Sequence, residues 1–170
     1  HGRMFIASAP ATIGATVRTS GHARQTLALM RQMIDRAKVD PAIISAAHSI
    51  VALTPEHDAR GELAAVFQWA RDRLRYVRDV AGVETLSYPG LVLRRGTGDC
   101  DDQTALLCAL FESIGYPTRL VAARYESSDF EHVFCQVWDG AQWLDCEPIE
   151  RSAALGQSYA GAREIWIEPR

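Results

Sequence analysis

The sequence lacks the features that mark nucleic-acid-binding and membrane-spanning proteins. Its 170 residues carry a formal net charge of -3, and no run of Lys or Arg is longer than two. No apolar run approaches the roughly 20 residues that span a bilayer. Neither a nucleic acid nor a membrane is therefore expected as a partner. What is present, 48% hydrophobic and 23% charged residues, is typical of a globular protein, and the length predicts a single domain over 1–170.

Cysteine patterns typical of metal sites and disulfide scaffolds are missing as well. The four cysteines, Cys100, Cys108, Cys135 and Cys146, include no CxxC pair, which gives little support for structural zinc. Cys100 and Cys108 are eight residues apart on one predicted helix, about 12 Å along its axis, which is too far for a disulfide. We therefore expect a reduced, cytoplasmic protein without a metal or other cofactor.

The N-terminus shows no signal-peptide pattern. The segment HGRMFIASAPATIG contains no basic region followed by a long apolar one. Residues 1–3 are interpreted as an addition ahead of a natural start at Met4.

Helix signals fill the first half of the chain. Residues 4–19 are compatible with one or two short strands. Apolar residues at helical spacing and two cap-plus-proline signals, Asp40-Pro41 and Thr54-Pro55, predict three helices. These helices span 20–37, 40–51 and 54–78. Residues 79–98 show no clear period and are predicted to be irregular, a length of loop that is often functional.

The stretch GTGDCDD, residues 96–102, places a cysteine where a helix begins. The helix is predicted from the apolar rows that follow Cys100, and it ends at Gly115, before Pro117. The N–H groups and the dipole at a helix N-terminus stabilise an anion, so this position favours the thiolate, which is the nucleophilic form of cysteine. Cys100 is therefore a candidate catalytic nucleophile.

Charged neighbours act on the same thiol. Asp99, Asp101 and Asp102 favour the helix start, but they also raise the cysteine pKa. Arg94 and Arg95 offset some of this negative charge. We expect the helix dipole and a nearby imidazolium to prevail and the thiol to be activated.

Strand signals dominate the rest of the chain. Candidates lie at 118–125, 131–138 and 142–148, and EIWIEP near the C-terminus alternates like a final edge strand. If Asp139-Gly140 is a two-residue hairpin turn, Phe134 pairs with Asp145, which puts Asp145 on the face of His132 and diagonal to it. A four-residue turn keeps Asp145 on that face but one diagonal further away.

A cysteine, a histidine and a carboxylate are the side chains of a thiol acyl-transfer site. Cys100 would attack a carbonyl, His132 would exchange the proton, and Asp145 would orient the imidazole. Asp139 and Glu131 are alternative carboxylates for the histidine. Backbone N–H groups at the start of the Cys100 helix could hold the oxyanion.

Three segments together resemble the transglutaminase-like superfamily of papain-related thiol enzymes. They are RGTGDCDDQTALLCALFESIGYPTRLV (95–121), EHVFCQVW (131–138) and WLDCEP (143–148). The resemblance implies an α+β fold with a papain/transglutaminase-like core over 54–150, a helical N-terminal half, and the nucleophile helix packed on an antiparallel sheet. It also implies Cys100 as nucleophile, His132 as base and Asp145 as orienting residue.

The resemblance also bears on the reaction. Microbial members with this pattern are commonly called cysteine proteases, so hydrolysis of a peptide or protein amide is expected. Amine-transferring transglutaminases carry Gln before and Trp after the nucleophile, where this chain has Asp99 and Asp101, which weakens a cross-linking activity. In folds of this kind a side chain upstream of the nucleophile completes the oxyanion hole, and Tyr88 is the candidate.

Two other functions are open to the sequence. One is a non-catalytic binding module on the same fold. The other is a zinc protein that uses Cys100 and His132 with Cys135 or Cys146. Strand alternation disfavours the zinc protein, because it places Cys135 on the opposite face of the strand from His132.

Overall fold

Five helices and eight strands make up the described part of the chain. The structure, a computed structural model, describes residues 16–18, 23–80, 85–125, 132–157 and 164–168. In chain order the elements are β1 (Thr16–Arg18), α1 (Ala23–Ala37), α2 (Pro41–Val51), α3 (Ala59–Arg73), β2 (Arg75–Tyr76), β3 (Thr85–Ser87), α4 (Pro89–Arg95), β4 (Thr97–Gly98), α5 (Cys100–Ser113), β5 (Thr118–Arg124), β6 (His132–Trp138), β7 (Trp143–Cys146) and β8 (Glu164–Ile167). None of the described helices is both long and apolar enough to cross a membrane.

Helix α5 lies at the centre of the fold. All ten residues from Asp102 to Phe111 are buried, and the helix contacts α1, α2, α3, α4 and strand β6. Residues 105–111 are apolar without interruption, so this helix has no polar face to present to water. The apolar rows recognised in the sequence are therefore only part of its buried surface.

A four-stranded antiparallel sheet forms the layer against α5. The strand order is β7-β6-β5-β8, and every neighbouring pair is antiparallel. The side of the sheet toward α5 carries small and medium apolar residues that share one core with the helices: Leu120, Ala122, Val133, Cys135, Val137, Leu144 and Cys146. The predicted α+β fold, with the nucleophile helix packed on an antiparallel sheet, is confirmed.

The bounds of the third helix differ from the prediction. Helix α3 begins at Ala59 rather than near 54, because Asp58 is its N-cap and accepts an N–H of the first turn at 2.9 Å. It ends at Arg73 because the chain becomes extended at Leu74 and then pairs β2 with β4. The predicted start of the first helix and most of the ambiguous segment 4–19 lie outside the described residues.

The segment predicted to be irregular contains regular structure, so that prediction is wrong. Strand β3, helix α4 and strand β4 all lie within 79–98. Helix α4 has Pro89 in its first turn and ends at Gly96, whose φ of 69° is left-handed. Proline at the start and glycine at the end are ordinary helix signals. The helix is only two turns long, so its apolar period is too short to recognise.

The connection between β6 and β7 is a four-residue loop, which confirms the second of the two turn lengths considered in the sequence rather than the two-residue turn. Trp138 pairs with Trp143, and their rings meet edge to face at 5.4 Å. The Asp139 side chain accounts for the longer loop, since its Oδ1 accepts the N–H groups of Ala141 and Gln142, both at 2.8 Å.

Arg31 joins the helical layer to the edge of the sheet. Its Nε and Nη2 donate to the two carboxylate oxygens of Glu168 at 2.8 and 2.9 Å, and its Nη1 donates to Glu112 Oε1 at 2.8 Å. Glu112 lies near the end of α5, and Glu168 directly follows β8. The three side chains are between 5% and 15% exposed, so this charged contact is largely excluded from water.

We expect Arg31→Ala to lower the free energy of unfolding by about 3–5 kcal/mol, because it removes the cation between two largely buried carboxylates. Arg36→Ala, on the exposed side of the same helix, is the matched control and should cost less than about 1 kcal/mol. Urea denaturation followed by circular dichroism measures both values. Equal losses in the two variants would contradict the prediction.

Candidate active site

Cys100 is the first residue of α5. Asp99 is the N-cap: its Oδ1 accepts the N–H of Asp102 at 3.0 Å, and its carbonyl oxygen accepts the N–H of Gln103 at 3.0 Å. Cys100 is partly exposed, whereas the other three cysteines are buried. The position therefore combines a capped helix start with access from solvent.

The turn before Cys100 is fixed by the buried carboxylate of Asp102. Its Oδ1 accepts the N–H of Ser87 at 2.7 Å, and its Oδ2 accepts from Arg95 Nη2 at 2.7 Å. A Cβ placed on Gly98 would lie 2.6 Å from the Asp102 Cβ, so this close approach requires glycine. Arg95 offsets negative charge near the helix start, as predicted, and it does so on Asp102.

The backbone of Val133 holds strand β6 against the start of α5. Its carbonyl oxygen accepts from Thr104 Oγ1 at 3.2 Å, and its N–H faces the Cys100 sulfur and lowers the pKa of the thiol. Within the described residues, β7 pairs with β6 only from Cys135 onward, which leaves the backbone of Val133 facing the helix. His132, one residue earlier, is thereby brought to the N-terminal end of α5.

The carboxylate bonded to His132 belongs to Glu147. Glu147 Oε2 is hydrogen-bonded to His132 Nε2, and the glutamate side chain is 1% exposed. Its other oxygen, Oε1, accepts the N–H of Ile149 at 3.0 Å. The carboxylate is therefore fixed at both oxygens and can set the orientation and tautomer of the imidazole.

Asp145, the residue expected beside His132, lies further along the same face of the sheet. It pairs with Gln136 and accepts from Gln136 Nε2 at 2.6 Å. The four-residue loop shifts the pairing by two residues relative to a two-residue turn, so Glu147 occupies the position expected for Asp145. A shift of two residues preserves the face of the strand. The predicted face is thus correct, and the predicted pairing with Phe134 is wrong.

The alternative carboxylates for His132 are located as follows. Asp139 lies in the β6–β7 loop, where it accepts from Arg60 Nε at 3.1 Å as well as from two loop N–H groups. Glu131 lies outside the described residues.

Burial and neighbouring carboxylates raise the pKa of the Cys100 thiol well above its usual value. Burial is the largest cause. Asp101 follows, with its Oδ1 accepting from the thiol at 3.4 Å, and Asp99 adds to the effect. The N–H of Val133 lowers the pKa but does not compensate. These effects oppose the expected activation of the thiol by the helix N-terminus and a nearby imidazolium, which stays a prediction.

Tyr76, which is 49% exposed, is a tyrosine whose pKa responds to Cys100. Its strand β2 pairs in parallel with β4, which puts Tyr76 opposite Gly98. Burial first, and then the proximity of Cys100, raise the pKa of the Tyr76 hydroxyl. The predicted candidate, Tyr88, precedes α4, and its hydroxyl is directed to Asp40 Oδ2 at 3.4 Å. The pairing of two-residue strands leaves no sequence pattern that could have pointed to Tyr76.

The other cysteines belong to the core. Cys135 lies opposite Cys146 on the neighbouring strand and contacts Cys108 of α5, and all three are fully buried. Their predicted structural role is confirmed. Within the ranges that the structure describes, no group of three or more His, Cys, Asp and Glu side chains is arranged to hold a metal ion.

Comparisons with known proteins bear on the fold. The model of the Transglutaminase-like superfamily matches residues 46–148, more than half of the chain. The comparison with curated proteins finds no match. Among solved structures, a "putative cysteine protease" from Cytophaga hutchinsonii is similar at 12% identity and a TM-score of 0.51, over 79% of this chain and 50% of that one. The chain thus spans half the length of that structure.

Two further structures are similar. A "putative protease" from Parabacteroides distasonis aligns at 12% identity and a TM-score of 0.48, over 67% of this chain and 24% of that one. A protein called a "TGase" aligns at 13% identity and a TM-score of 0.47, over 84% of this chain and 36% of that one.

We expect Asp99 to make stability depend on pH. Burial, followed by Asp102 and Asp101, raises the pKa of Asp99 from 3.8 to about 7. A raised carboxyl pKa stabilises the folded state fully below the unfolded-state value, and that contribution is lost as pH rises through the folded-state value. As pH rises from about 5 to about 8, the free energy of unfolding of the wild type should therefore fall relative to that of Asp99→Asn by on the order of 2 kcal/mol.

Asparagine keeps an oxygen for the helix cap, so the variant isolates the charge of Asp99. Urea denaturation at several pH values measures the difference between the two proteins. A difference that does not change between about pH 5 and pH 8 would show that Asp99 is not protonated in this range.

Proposed function

The chain belongs to the transglutaminase-like superfamily, and from that premise we propose that it is a cysteine peptidase or amidase. In this proposal it hydrolyses an amide bond of a peptide or protein through a thioester on Cys100. The observation that carries the proposal is the contact of β6 with the helix that begins at Cys100: Val133 accepts from Thr104 of that helix, while the adjoining His132 is bonded to the buried Glu147. A nucleophile, a base and an orienting carboxylate are the parts that such a reaction needs.

The first half of the proposed reaction forms a thioester. Because Nε2 of His132 is bonded to Glu147, Nδ1 is the nitrogen assigned to the thiol proton. As that proton moves to His132, the Cys100 sulfur attacks the substrate carbonyl carbon. The tetrahedral intermediate then collapses: the C–N bond breaks, and His132 returns the proton to the departing amine. Glu147 stabilises the imidazolium in both steps.

The second half releases the acid product. A water molecule attacks the thioester carbon through its oxygen, and His132 Nδ1 takes a proton from that water. The C–S bond then breaks, and His132 gives the proton to the sulfur. Water is assigned this role rather than a second amine because Asp99 and Asp101 flank the nucleophile. The sequence therefore lacks the Gln and Trp neighbours that the resemblance associates with amine transfer.

The oxyanion is assigned to the N–H of Cys100 and the hydroxyl of Tyr76. The N–H groups of Asp102 and Gln103 are already bonded to Asp99. Of the remaining two in the first turn, the N–H of Cys100 is chosen because it belongs to the residue that carries the sulfur. The influence of Cys100 on the pKa of Tyr76 supports the second donor. Two donors aimed at developing negative charge are the arrangement expected of acyl-transfer sites.

We expect Glu147→Gln to lower the rate of acyl transfer by about 100-fold or more, because the imidazole loses the charge that orients and stabilises it. Asp145→Asn is the matched control on the same face of β7, and it should change the rate by less than about threefold. Hydrolysis of p-nitrophenyl acetate, with Cys100→Ala as the blank, measures both rates. A large loss in Asp145→Asn with none in Glu147→Gln would return the orienting role to Asp145.

We expect Tyr76→Phe to lower kcat for p-nitrophenyl acetate by about 10- to 100-fold with little change in KM, because an oxyanion donor acts mainly in the transition state. Tyr88→Phe removes the same atom from the other candidate and should leave kcat within about twofold. A larger loss of kcat in Tyr88→Phe than in Tyr76→Phe would assign the oxyanion contact to Tyr88.

A further inference from the structure

Asp101 occupies an unusual position for a residue next to a nucleophile. Its Oδ1 accepts a hydrogen bond from the Cys100 thiol at 3.4 Å. A carboxylate in this place stabilises the neutral thiol by accepting its proton, and it destabilises the thiolate by charge repulsion. A helix N-terminus alone would do the opposite.

We infer that Asp101 is a positioning residue that keeps the Cys100 thiol protonated in the free enzyme. The inference rests on the proposed function, since it concerns the regulation of that nucleophile. A thiol held in this way resists oxidation and adventitious alkylation, because both reactions follow the amount of thiolate. The proton leaves only when His132 acts as a base during attack on a bound carbonyl.

Other groups around the sulfur also change the pKa of the Cys100 thiol. Asp99, on the same helix, is the second carboxylate that raises the pKa of the thiol, and the Val133 N–H from β6 lowers it. On the side of β2, the pKa of the Tyr76 hydroxyl is raised by Cys100 and lowered by Arg78. Asp101 differs from these groups because it accepts the thiol hydrogen bond itself.

The test is the pH dependence of Cys100 alkylation by iodoacetamide in Asp101→Asn, between about pH 6 and pH 10. Each unit by which the thiol pKa falls gives tenfold more thiolate but about threefold lower nucleophilicity. We therefore expect alkylation at pH 7 to be about threefold faster for each such unit, with the midpoint moved to lower pH. Mass spectrometry assigns the label to Cys100. Thiolate absorbance, measured against the double variant Asp101→Asn/Cys100→Ala, gives the midpoint of the Cys100 titration independently.

The matched control is Asp35→Asn. Lys38 Nζ bonds both Asp35 and Glu112, at 3.1 and 3.3 Å, and Glu112 lies twelve residues beyond Cys100 on α5, about 18 Å along the axis. Asp35→Asn removes the same charge at the other end of the helix, so its alkylation profile should match wild type. Asp101→Ser is a second variant without a carboxylate, in case the asparagine disturbs the helix start.

The direction of the change decides the matter. The inference is overturned if the titration midpoint of Cys100 is unchanged or higher in both Asp101 variants, or if alkylation at pH 7 is slower than in wild type. Slower alkylation would mean that Asp101 acts as a base for the thiol. The proposed function is judged separately by p-nitrophenyl acetate hydrolysis. If Cys100→Ala is as active as wild type while Asp101→Asn lowers the thiol midpoint, the proposed function fails and the role of Asp101 stands.

Discussion

The site depends on the contacts that the backbone of Val133 makes to the start of α5. Its carbonyl oxygen accepts from the Thr104 hydroxyl at 3.2 Å, and its N–H faces the Cys100 sulfur and lowers the pKa of the thiol, so both backbone polar groups of this residue meet the helix. His132 precedes Val133 in β6, and Glu147 follows the paired strand β7. Residues distant in sequence are therefore joined through one backbone segment and the side chains of Thr104 and Cys100.

The same burial that builds the site also opposes its chemistry. Helix α5 is enclosed by helices and the sheet, and this fixes Cys100 where its sulfur meets Val133. Burial then favours the neutral thiol, and the carboxylates beside Cys100 add to that preference. In the proposed mechanism the proton leaves the thiol during the reaction, so the orientation of His132 by Glu147 carries the activation.

Local signals in the sequence are sufficient for much of the fold. The Cys100 helix, the sheet strands and the face that carries His132 follow from periodicity and from alternation along a strand. Short elements are not predicted, because α4 has only two turns and the β2–β4 pair has two residues a strand. The choice between Asp145 and Glu147 depends on the length of one loop, and the Asp139 side chain sets that length by accepting two loop N–H groups.

The most direct measurement is acid-quenched mass spectrometry of the protein during its reaction with p-nitrophenyl acetate. Peptide mapping should place one acetyl group on Cys100 in wild type, with markedly slower acylation in His132→Ala and none on that residue in Cys100→Ala. Acetylation of another residue at the wild-type rate, with Cys100 unmodified, would contradict a thioester mechanism at the start of α5.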